Sequence, residues 1–173
     1  MEYLTNLLMV VLPAGLAIYG MYIIAVSFLK KEREFKLVEL KTKNTDVILP
    51  VRLQAGERLC LFLERITPNN LLRRVNQPEF TSAELHARLI GEVREEFNHN
   101  LSQQVYFSDE TWESVRNATE QVLTLVNRAY QEVHNESKGL ELAKKVFQLS
   151  MEQTVDTIAD ARKQVKSEIR VYF

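Results

Sequence analysis

Three arginines crowd one short stretch of this chain, Arg65-Ile-Thr-Pro-Asn-Asn-Leu-Leu-Arg73-Arg74, where Thr67 followed by Pro68 reads as the start of a helix. A helix amino terminus favours anions, and guanidinium groups beside it can hold a phosphate, a lipid headgroup or a partner's carboxylate through paired N–H donors. Arg65, Asn69, Asn70, Arg73 and Arg74 are therefore the candidate contacts for an anion or a protein partner. The competing expectation is that these arginines pair within the fold, with Glu64, Glu79 or Glu84.

Other groupings of reactive side chains are weaker. Glu96 and His99 have the Glu-x-x-His spacing of carboxylate-bridged di-iron bundles, which needs a second such motif and two further glutamates. Ala83 stands three residues before His86 and Gln131 three before His134, so the second motif is missing and a solvated Glu-His pair is expected. Glu152, Asp156 and Asp160 follow at steps of four, which on one continuous helix would line three carboxylates along a face. Such a strip is either a solvated surface or a dock for a basic partner. Gly56, Gly91 and Gly139 lie too far apart to build a phosphate loop, and neither G-x-S-x-G nor H-E-x-x-H occurs. No enzyme activity, metal or cofactor is expected. Cys60 is the single cysteine, set in Leu59-Cys60-Leu61-Phe62-Leu63, so it reads as a small buried apolar residue in a reducing compartment. Asn100, Asn117 and Asn135 open N-x-S/T triplets, and glycans on them would reverse the topology expected below.

The elements that must carry these residues begin with an uncharged run from Tyr3 to Leu29, longer than the ~20 residues a helix needs to cross a bilayer. It has neither the basic start nor the small-residue exit of a cleaved signal, so a permanent anchor is expected. All 22 basic residues follow the run, and Lys30, Lys31, Arg33, Lys36, Lys41 and Lys43 crowd its end. The positive-inside rule then places the amino terminus outside and the rest in the cytoplasm. Lys30, Lys31, Arg33 and Lys36 are expected to meet lipid headgroups. Ala17, Gly20 and Ala25 offer small residues against which another helix could pack.

Beyond the run, 22 basic residues stand against all but one of the 23 acidic residues, a balance that argues against a nucleic-acid surface. Scarce glycine and proline point to helices. The expected organisation is a tail and transmembrane helix over 1–29, a basic juxtamembrane segment over 30–46 and a helical bundle over 47–173. Pro50 is placed in the first turn of a helix reaching Ile66 that is apolar nearly all round. Thr67-Pro68 opens a short helix ending before Pro78. Thr81 and Glu84 form a capping box before Leu85, Leu89, Val93, Phe97 and Leu101. Ser108 caps a helix bearing Trp112, Val115, Val122, Val126, Ala129 and Val133. A last long helix is read through Leu140, Ala143, Phe147, Met151, Ile158, Val165 and Ile169. The fold class expected is all-α, one transmembrane helix followed by a cytoplasmic bundle of about four main helices.

From Pro50 to Val75, the segment PVRLQAGERLCLFLERITPNNLLRRV resembles a stretch found in an uncharacterised family of bacterial single-span inner-membrane proteins. The resemblance implies a short outside tail, an anchor and a helical cytoplasmic region, and it carries no assigned activity or site residue. The topology is also similar to the stalk b subunit of rotary ATP synthases, but Pro50, Pro68 and Pro78 interrupt what in that subunit is one polar helix. The expected function is a membrane-anchored scaffold, an accessory subunit of a larger inner-membrane complex whose partners are other membrane subunits, the bilayer and, in one arrangement, a second copy. The alternative is a tethered sensor that reads a small anion or headgroup through Arg65, Arg73 and Arg74.

Overall fold

The structure, a computed structural model, describes residues 2–152 and 154–171. It is all-α, with seven helices among the described residues: α1 Glu2–Arg65, α2 Pro68–Val75, α3 Ser82–Asn100, a 3-10 helix Leu101–Tyr106, α4 Asp109–Gln131, α5 Gly139–Glu152 and α6 Thr157–Arg170. The chain divides into two compact units, Met1–Ile48 and Leu49–Phe173.

The first unit is helical. Its segment Pro13–Lys36, 24 residues with a hydropathy of 1.4, is long and apolar enough to cross a membrane, and none of its apolar window is buried in the molecule. At 1.5 Å per residue it rises about 36 Å, against a hydrocarbon layer of about 30 Å. A membrane span and a signal sequence share this form. Pro13 sits inside helix rather than ending it.

The second unit is built on the carboxyl-terminal part of α1. Leu59, Phe62, Leu63 and Ile66 recur at steps of three and four, which puts them on one side, and all four are fully buried. The expectation of a helix apolar all round fails at Leu61, which is 59% exposed. Pro50 does not open this helix either, because α1 runs unbroken through it.

The remaining helices supply the rest of the core. Leu85, Leu89 and Val93 of α3 are fully buried, but Leu101 leaves that stripe because the backbone tightens into the 3-10 helix there. In α4 the buried set is Thr111, Val115, Ala118, Thr119, Val122, Leu123, Leu125, Val126 and Ala129. The last long helix is in fact two. α5 buries Leu142, Ala143, Val146 and Leu149, while Leu140, Phe147 and Met151 face outward. α6 buries Ile158, Ala161 and Val165.

Helix starts follow their caps where the cap is a hydroxyl or carboxylate facing free N–H groups. Thr81 and Glu84 form the full capping box of α3. The Ser108 hydroxyl accepts from Thr111 N at the start of α4, and the Asp156 carboxylate accepts from Ala159 N at the start of α6. Thr67 behaves differently: its hydroxyl donates back to the Glu64 carbonyl at 2.8 Å and leaves the start of α2 without a side-chain cap. The turn before α5 is tied to the start of α3 by Gly139 N–H to Phe80 O at 2.7 Å and Ser82 N–H to Ser137 O at 2.8 Å.

Candidate functional site

Arg65 is the last residue of α1 and Arg74 lies in the last turn of α2, so both project from carboxyl-terminal helix ends, where a cation is favoured. Facing them, Glu92 and Glu96 stand one helical turn apart on α3. Arg65 Nη2 is 2.7 Å from Glu96 Oε1. Arg74 Nη1 is 2.5 Å from Glu92 Oε2 and 3.6 Å from Glu96 Oε1. Two guanidiniums and two half-buried carboxylates thus form one neutral cluster joining α1, α2 and α3.

Two of the three arginines, Arg65 and Arg74, do pair within the fold, but with Glu92 and Glu96 rather than with Glu64, Glu79 or Glu84. Glu96, expected as a solvated partner of His99, is engaged by Arg65 and Arg74, while His99, three residues on, is exposed. Arg73 is exposed and has no ion-pair partner among the described residues. Asn70 donates from Nδ2 to the Glu64 carbonyl at 3.0 Å, the same oxygen that Thr67 bonds, and so caps α1. Asn69 lines a cleft of about 320 Å³ with Thr67, Pro68, Gln121, Val155 and Asp156. The sequence group is therefore split: Arg65 and Arg74 face α3, Asn70 closes α1, Asn69 borders the cleft and Arg73 points to water.

The acidic strip is dissolved by the break between α5 and α6. Glu152 ends α5, where Gln148 Nε2 donates to it at 3.0 Å, Asp156 is a cap, and Asp160 lies in the first turn of α6. Among the described residues, no three His, Cys, Asp or Glu side chains gather as a metal-binding group.

A second polar cluster escaped the sequence reading. Arg52 donates from Nε and Nη2 to the Tyr106 carbonyl at 3.1 and 2.9 Å, and its Nη2 lies 3.9 Å from Glu168 Oε1. Burial pushes the Glu168 carboxyl up, but hydrogen bonds from Thr111 and Ser108, with Arg52 nearby, together outweigh it and leave the group below the usual carboxylate range. Arg162 of α6 pairs with Glu64 of α1. Only the long sequence separations hide these contacts, since each residue type is ordinary. Cys60 is half-buried, and burial raises its thiol pKa more than the nearby Lys166 and Arg162 lower it. Asn100 is buried and its Nδ2 donates to the Glu96 carbonyl, which leaves that triplet no room for a glycan.

In the first unit, Ala17 and Gly20 are three residues apart and share a side of α1. Ala25 stands about 140° round from Gly20, so the three do not make one narrow strip. Lys30, Lys31, Arg33 and Lys36 are exposed, with Lys36 Nζ 2.9 Å from Glu32 Oε1. The side chains of Lys41 and Lys43 lie outside the described residues.

Comparison with known families adds one fact. The chain belongs to the DUF7935 family, a family of unknown function. The family pattern spans residues 2–172, which takes in α1 together with every helix of the second unit. No curated protein and no solved structure matches the chain.

Proposed function

We propose that this chain is a non-enzymatic, membrane-anchored interaction protein, an accessory subunit of a larger bacterial inner-membrane complex. In this reading α1 crosses the bilayer once, with its amino terminus outside, and the second unit works in the cytoplasm. The observation that carries it is the Pro13–Lys36 segment, whose apolar window has no cover within the molecule. An exposed surface of that length and hydropathy is costly in water and stable in lipid. The basic residues at its end supply the orientation.

The outward ridge of α5 supports the interaction role, because Leu140, Phe147 and Met151 occupy one side of the helix and are left exposed by a core that uses Leu142, Val146 and Leu149. The sensor alternative loses support from the geometry, since Arg65 and Arg74 already have carboxylate partners. Mild crosslinking in native membranes, followed by purification of the full chain, tests the proposal. Membrane subunits are expected to co-purify and to be lost with Phe147→Ser plus Met151→Ser. A monodisperse monomer without partners would refute it.

A further inference from the structure

We propose that the side of α1 formed by Phe28, Lys31 and Phe35 docks on anionic lipid headgroups, so that membrane contact continues past the end of the apolar segment. This rests on the anchor reading above. Met21, Ile24, Phe28 and Phe35 are spaced by three, four and seven residues, which confines them to an arc of about 60°. All four are strongly exposed, Phe28 at 68% and Phe35 at 74%. Phe28 belongs to the uncharged run, whereas Phe35 lies beyond Lys30, Lys31, Glu32, Arg33 and Glu34. One apolar line therefore crosses the boundary that the charges mark.

The charges around the line fit an anionic surface. Lys31 stands three residues after Phe28 and four before Phe35, on the same side, and lines a shallow depression with both rings. The nearest carboxylate, Glu32, is held by Lys36 at 2.9 Å, which leaves Lys30, Lys31 and Arg33 against Glu34 alone. Phe35 rises about 9 Å past Leu29, a height that a headgroup layer of about 5 to 8 Å reaches when the helix tilts. In that position the ring lies within the headgroup layer, and Lys31, one turn nearer the bilayer centre, extends outward to phosphate, the usual division for a long amphipathic side chain. A parallel second copy docked on this side would instead set the two Lys31 groups against each other.

The test uses the full chain carrying Trp112→Phe and Phe35→Trp, reconstituted in vesicles of phosphatidylcholine alone or of one part phosphatidylglycerol to three of phosphatidylcholine. Acrylamide quenching of the introduced indole is expected to be about twofold weaker in the anionic vesicles. The difference should vanish at about 1 M salt, where screening is short, and in Lys31→Gln. Equal quenching in both vesicles overturns the proposal, as does quenching that follows protein-to-lipid ratio instead of lipid charge. A parallel sample with Phe28→Trp separates the two ideas. Shielding there in both vesicles keeps the anchor when the Phe35 result fails, and open access there in both defeats the anchor itself.

Discussion

Glu168 on α6 accepts two hydrogen bonds from Ser108, the backbone N–H reaching Oε1 at 2.9 Å and the hydroxyl reaching Oε2 at 2.9 Å. The same serine caps α4, so one carboxylate fixes the start of a helix that lies sixty residues earlier in the chain.

Because the folded-state pKa of Glu168 lies below its ordinary value, its contribution is complete above the unfolded glutamate pKa of about 4.3 and is lost as pH falls through the lower folded value. Glu168→Gln is expected to lower stability at neutral pH and to flatten the decline in melting temperature below about pH 4.3. Identical acid slopes for both proteins would show that the cluster contributes nothing to acid sensitivity.

Asp156 accepts from Ala159 N at 2.9 Å. Asp156→Ala should cost about 1 kcal/mol in urea unfolding, and Asp156→Asn much less, since the amide oxygen still caps. Were the break between α5 and α6 an uninterrupted helix in solution, the alanine would instead stabilise it.

Gly56 marks the close approach of α1 to α6: a methyl group there would stand 1.8 Å from Ile169 Cδ1 and 3.2 Å from Cγ1. Because the overlapping atom is the free end of the half-buried Ile169 side chain, which can turn aside, Gly56→Ala is expected to change stability by less than about 1 kcal/mol, the repacking of Ile169 offsetting the better helix propensity of alanine. Ile169→Val removes the overlapping methyl and should make Gly56→Ala more favourable than it is alone, and a double-mutant cycle without coupling would contradict the packing.

Truncating a core ring and a surface ring should differ sharply. Phe62 is fully buried and lies 6.1 Å from the Phe97 ring, whereas Phe147 is exposed. Phe62→Ala is expected to cost about 3–5 kcal/mol and Phe147→Ala about half a kcal/mol or less. Comparable losses from the two would place α5 in the wrong rotation.

That rotation was the hardest feature to read from the chain. Leu140, Phe147 and Met151 form as regular a stripe as Leu142, Val146 and Leu149, and periodicity alone cannot choose between two apolar sides of one helix. Thr81, Glu84 and Ser108 were legible because a cap acts within one turn, so its partners are near in sequence. The α5–α6 break was missed because no glycine or proline marks it. Its signal was Asp156 itself, a cap followed by Asp160 in the first turn, after the β-branched pair Thr154-Val155. Pro50 misled in the opposite direction: proline suits a first turn, but the helix continues through it. The arginine group was found by composition, and its partners were not, because Glu92 and Glu96 become neighbours only when α2 folds back on α3.

The pairing of Arg162 with Glu64 joins residues 98 positions apart, and α6 thus completes the packing that α1 begins. During synthesis Glu64 emerges early, and its pairing cannot close until the final helix has followed. A contact of such long sequence separation closes a long loop, and so it forms late in folding, after the local helices on either side of it.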